Sequence, residues 1–120
     1  MNPNSFGWDL LLDLYECDLQ VLKSRELLAE YAVRVCDVLR MKRFGDPFLE
    51  HFGYEKLETV GYSLVQLIET SSLVGHFSEF KRSAYLDLFS CREFNADAVT
   101  EFTKQYFGAQ RVVSRLIERV

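Results

Sequence analysis

Apolar and polar residues change period several times along the chain, and each change marks an element. Residues 8–15 (WDLLLDLY) set apolar side chains among acidic ones over a strand-like length, and the polar Glu16-Cys17-Asp18 closes that run. A first strand is predicted there. Between Leu19 and Arg40 the period becomes helical: Leu28, Ala32, Val35, Cys36 and Leu39 fall on one face, with Arg25, Glu30, Arg34 and Asp37 turned to water. Gly45-Asp46-Pro47 reads as a turn, because glycine allows positive φ and proline disfavours helix before it, and a strand is expected over about 48–52. Residues 53–59 are polar enough for a loop. Residues 60–69 (VGYSLVQLIE) are rich in β-branched and aromatic residues and predict a central strand. Segments 73–78 and 83–91 predict further strands around a hairpin-like connection at Glu79–Arg82. Asn95 can cap a helix carrying Val99, Phe102 and Tyr106, with Gly108 as its stop, and a short last strand is expected over about 110–118.

The order β, α, several β, α, β separates the helices by runs of strands instead of strict βαβ alternation. It predicts the α+β class: a two-layer sandwich with a largely antiparallel sheet and two main helices on one face. No internal repeat, low-complexity tract or linker interrupts residues 1–120, so one domain is expected. The sheet's other face must be solvated or covered, and an aromatic content of 14% favours a homodimer as the cover.

Charge and composition narrow the partners. Lys and Arg number 14 against 18 Asp and Glu, a net charge of −4, so no basic field attracts nucleic acid or anionic lipid. No apolar run approaches the roughly 20 residues that cross a bilayer, and the Asn-rich start lacks the basic and apolar regions of a signal peptide. No membrane partner and a cytoplasmic location are therefore expected. Cys17, Cys36 and Cys91 form an odd set without metal-type spacing, and His51 and His76 are the only histidines, which disfavours a disulfide framework or zinc site. Any cysteine chemistry should use a free thiol.

Strand alternation puts Tyr85, Asp87, Phe89 and Cys91 on one face of 83–91, and turns Ser63 away from Tyr62, Leu64, Gln66 and Ile68. Downstream, Glu69-Thr70-Ser71-Ser72 precedes Gly75-His76, so hydroxyls stand a few residues from an imidazole, a pattern compatible with an activated nucleophile. No G-x-S-x-G elbow surrounds these serines. By themselves the residues fit a polar strand end with a surface histidine better than a catalytic site, and Cys91 fits a small buried hydrophobe better than a reactive thiol.

Taken together, Ser63, Ser71, His76 and Cys91, within GYSLVQLIETSSLVGHF and AYLDLFSC, resemble the short prokaryotic S-adenosylmethionine decarboxylase family. In that family a self-cleaving serine has a processing serine eight residues before it, a histidine five after and a cysteine twenty after, and this chain keeps all three spacings. FGWDLLLDLYECD is similar to the family's opening strand, and the resemblance extends to the last helix and strand. It implies self-cleavage between Thr70 and Ser71 into chains 1–70 and 71–120, with a pyruvoyl cofactor generated from Ser71. That group would form a Schiff base with a small-molecule amine substrate and accept the electrons released with carbon dioxide. Ser63 and His76 would assist processing, and Cys91 would return a proton to the substrate. A dimer of cleaved protomers and a role in polyamine synthesis are implied as well.

The departures fall around the substrate. Where common family members have Glu-Ser-His and then Thr-Trp-Pro-Glu, this chain has Thr70-Ser71-Ser72 and Phe77-Ser78-Glu79-Phe80. Phe52, Glu69, Phe77 and Glu79 are the substrate-contact candidates; the loop before Ser63 is long, and Glu79 is one position out of register. Two substrate readings stay open: S-adenosylmethionine, or free arginine or ornithine with Glu79 or Asp87 pairing the side-chain cation. A third expectation is an uncleaved regulatory homologue.

Overall fold

In the first strand, Leu10, Leu12 and Leu14 are buried while Asp9, Leu11 and Asp13 between them are partly covered, the period of a sheet with one face in the core. The computed structural model, which describes residues 2–120, repeats this pattern across a six-stranded sheet. The elements are β1 (Gly7–Tyr15), α1 (Leu19–Leu22), α2 (Arg25–Leu39), β2 (Arg43–Phe52), β3 (Gly61–Ile68), β4 (Ser71–Ser78), β5 (Ser83–Ser90), α3 (Ala96–Phe107) and β6 (Arg111–Arg119). A short 3-10 turn, Leu57–Thr59, sits in the loop before β3. The strand order is β2-β3-β4-β5-β1-β6, with every neighbouring pair antiparallel. The fold is thus the expected α+β sandwich.

The helices cover one face. Leu28, Tyr31, Ala32, Val35 and Leu39 of α2 and Val99 and Phe107 of α3 pack with Leu10, Leu12, Leu14, Leu64, Leu73, Leu86 and Leu88 of the sheet. Tyr31 and Thr103 share a buried 2.7 Å hydrogen bond that joins the two helices. Asn95 caps α3 by accepting from the Ala98 N–H, and Gly108 ends it in the left-handed conformation, both as the sequence predicts. Among the described residues no helix is long and apolar enough to cross a membrane.

Three expected boundaries shift. The helix expected over 19–40 is broken, because the Ser24 hydroxyl accepts from the Leu27 N–H and starts α2 anew after the single turn of α1. Residues 45–47 do not end one element before another begins: β2 runs through them with a bulge between Phe44 and Phe48. Pro47 is tolerated there because β2 is an edge strand and lacks a partner on one side. Finally, β4 begins at Ser71, two residues before the expected start, and only Glu69 and Thr70 separate it from β3. The opposite sheet face has no helix, and it leaves Phe44, Phe48, Phe52, Val65 and Leu67 exposed.

Candidate functional site

The tight β3–β4 turn creates the first part of the site. Ile68 pairs with Ser71, so Glu69 and Thr70 alone reverse the chain, and Thr70 takes φ 68°. A β-branched residue in that left-handed region costs on the order of 1–3 kcal/mol unless its surroundings hold it. Here they do: the Thr70 carbonyl accepts from the Cys91 N–H at 2.9 Å and from the Cys91 Sγ at 3.2 Å, while the Glu69 N–H donates to Lys42 at 2.8 Å. The Thr70 hydroxyl also donates to the Glu69 carbonyl. Ser71 follows directly, and its hydroxyl donates to Met41 Sδ at 3.1 Å. Register places Ser71 opposite Ser90, one residue before Cys91, which is why the cysteine meets the turn. All three cysteines are free, but they differ. Burial pushes the thiol of Cys17 up to about 11 and also raises that of Cys36. Cys91 is half-buried at the turn.

Ser63 and His76 form a second cluster. They are directly paired across β3 and β4, with Ser63 Oγ 2.8 Å from His76 Nδ1, on the sheet face that carries no helix. Beside them opens a cavity of about 410 Å³ walled by Phe52, Tyr62, Phe77 and Tyr85 and floored near Gly61. A side chain at Gly61 would collide with the Phe77 carbonyl oxygen, so glycine lets β3 start this close to β4.

The two clusters do not meet within one chain. Ser71 and His76 lie five positions apart on the same strand, about 17 Å at the usual rise, and the odd separation turns their side chains to opposite faces. The sequence spacing that set a hydroxyl run near an imidazole therefore corresponds to a Ser63–His76 contact, with Ser71 elsewhere.

The remaining candidates scatter. Phe52 is exposed at the cavity rim, and Phe77 turns its buried ring onto Phe107, 5.6 Å between centroids. Glu79 Oε2 is 2.7 Å from His51 Nε2, next to the last residue of β2. Glu69 is exposed at the β3–β4 turn, at the other end of β4 from the cavity. Tyr62 and Tyr85, which no motif singled out as substrate contacts, line the cavity; alternation does place Tyr85 on that face.

Asp87 lies on the uncovered face, near Asp9, whose Oδ2 pairs with Arg119 at 3.2 Å. Partial burial, then the Asp9 carboxylate, push the Asp87 carboxyl up to about 6, while Arg119 pulls it down. A carboxyl raised in the folded state takes up its proton there first, so stability rises as pH falls from above 6 towards the ordinary carboxylate value. Asp87→Asn should accordingly raise the melting temperature at pH 8 and give no gain at pH 4; equal gains at both would remove this account.

A sequence model of the S-adenosylmethionine decarboxylase family matches residues 8–120. The fold is similar to the crystal structure of the adenosylmethionine decarboxylase from Aquifex aeolicus VF5, with a TM-score of 0.80 at 17% identity, covering 96% of this chain and 91% of that one. No curated protein sequence matches the chain.

Proposed function

The chain belongs to the S-adenosylmethionine decarboxylase family, and on that premise we propose that it cuts its own backbone between Thr70 and Ser71 and then decarboxylates S-adenosylmethionine. The observation that carries this reading is the Thr70 carbonyl, held by both the N–H and the thiol of Cys91 directly beside the Ser71 side chain. Donors already aimed at a carbonyl oxygen stabilise the charge that develops there on attack. The Ser71 hydroxyl adds to the Thr70 carbonyl carbon, the C–N bond breaks, and the proton passes to the Ser71 nitrogen, leaving an ester. Release of Thr70 from its left-handed conformation favours the same direction. Loss of the Ser71 α-proton with cleavage of the Cβ–Oγ bond frees the Thr70 carboxylate, and hydrolysis of the resulting enamine expels ammonia. The pyruvoyl group so formed supplies an electron-accepting carbonyl for a substrate amine whose carboxylate leaves as carbon dioxide. Cys91, half-buried at the same turn, delivers a proton to the substrate α-carbon.

The second cluster gives the base and the substrate contacts. His76, oriented by Ser63, is the proton carrier for processing, and the cavity beside it receives the substrate. Phe52, Tyr62 and Tyr85 offer flat apolar contact suited to an adenine ring. Glu79 is engaged by His51, and Asp87 sits beside a second carboxylate and Arg119, so neither is a free counter-ion for arginine or ornithine. Because the clusters lie at opposite ends of β4, the working unit is a homodimer packed through the uncovered sheet faces. Ser63 and His76 of one copy serve the Thr70–Ser71 turn and Cys91 of the other; the Ser71 side chain turns to the helix side, so it is reached around the turn where β4 begins. The exposed Phe44, Phe48, Val65 and Leu67 on that face support the packing.

Intact mass under denaturing conditions tests the chemistry without assuming a substrate. Fragments 1–70 and 71–120 are expected, the second lighter by one ammonia than a fragment beginning with serine. A chain that stays whole at 14.0 kDa through prolonged incubation would overturn the reading and leave the regulatory homologue.

A further inference from the structure

Met41 sits in the connector between α2 and β2, a segment fixed on both sides. Arg40 closes α2 at φ 56°, the Met41 N–H donates to the Cys36 carbonyl at 3.0 Å, and the Lys42 carbonyl accepts from Glu69 at 2.8 Å. The connector is therefore docked on the turn that precedes Ser71. Met41 is 7% exposed and places its Sδ 3.1 Å from Ser71 Oγ. Ser90 Oγ also approaches that sulfur, at 3.9 Å, but it donates to the Arg92 carbonyl at 2.7 Å and accepts from the Arg92 N–H at 2.9 Å. The thioether is thus left to Ser71. A thioether is a weak hydrogen-bond acceptor and no base at neutral pH, so it can aim the hydroxyl but cannot activate it.

We propose that Met41 is a positioning residue for self-cleavage: its sulfur selects the Ser71 rotamer from which Oγ reaches the Thr70 carbonyl carbon. This inference rests on the self-cleavage reading above. Both reacting groups are then fixed before a base arrives, the carbonyl by Cys91 and the hydroxyl by Met41, which is the condition for fast intramolecular attack. Without the acceptor the side chain spreads over its staggered wells, and the cleavage rate should fall about three-fold, the number of wells no longer discriminated.

The sequence has 2 methionines, which allows the sulfur alone to be removed. Cell-free synthesis with norleucine in place of methionine keeps the length and shape of residue 41 and deletes its acceptor. The uncut fraction is followed by intact mass against the methionine protein, and Met41→Leu made once with methionine and once with norleucine, a pair that differs at position 1 alone, controls for that position. About three-fold slower cutting at an unchanged melting temperature is the expected result. Cutting at the methionine rate or faster overturns the role of Met41 while leaving self-cleavage intact. So does an equal slowing in Val35→Ala, a core variant that keeps Met41, because the effect would then be one of packing. Failure of the methionine protein itself to cut overturns both readings.

Discussion

Ser71→Ala is expected to give a single uncut chain with no measurable decarboxylation and an unaltered fold. The side chain contributes one hydrogen bond to a thioether, so its removal should cost at most about 1 kcal/mol, within the range of a minor substitution. On the proposed mechanism the chemistry, in contrast, loses both the nucleophile and the atoms from which the electron-accepting group would be made. The neighbouring Ser72 supplies the control. It follows Ser71 on β4 and points to the uncovered face, away from Met41, so on the proposed mechanism it supplies no nucleophile and Ser72→Ala should still be cut between residues 70 and 71. Decarboxylation by Ser71→Ala would remove the pyruvoyl assignment outright. If Ser72→Ala alone stopped cleavage, the scissile bond would be one residue further on, and the Cys91 contacts to Thr70 would lose their meaning.

Sequence patterns reported the sheet well because its strands bury one face, and they reported α3 because Asn95 and Gly108 satisfy orphan groups at its ends. They missed the break at Ser24, since the apolar stripe continues across it while only a cap marks the restart. The β3–β4 turn escaped for a related reason. Glu69-Thr70 contains none of the Gly, Asn or Asp that normally announce a two-residue hairpin, so the left-handed strain at Thr70 has no signal in its own residue type.

The candidate site was legible as a set of spacings and illegible as a geometry. Thirteen positions separate Ser63 from His76, and only the hairpin register shows that this distance closes to a direct contact. Five separate Ser71 from His76, which looks closer along the chain and is far apart in space, because an extended strand spends the full rise on every residue. Met41 has no sequence signal at all, because its place beside Ser71 follows from where α2 ends and from the Lys42–Glu69 hydrogen bond.

The shared-site arrangement makes a second strong expectation. Alone, Ser71→Ala has no nucleophile and His76→Ala has no proton carrier, so each should stay uncut. Co-expressed in equal amounts and paired at random, half of the dimers are mixed, and each mixed dimer holds one complete site of two. About one quarter of the sites should recover, and every cut chain should carry the His76→Ala substitution, since only that chain keeps Ser71. Intact mass reads this directly because both substitutions lie in 71–120, so that fragment and the uncut chains identify the variant while fragment 1–70 is common to both. Ser63→Ala should behave like His76→Ala, complementing Ser71→Ala but not His76→Ala, because the paired residues act on the same partner site. If no chain is cut in the mixture, the two clusters do not serve each other across the dimer. If His76→Ala cuts at the parent rate when expressed alone, the imidazole has no part in processing, and the base must be sought on the Ser71 side of β4.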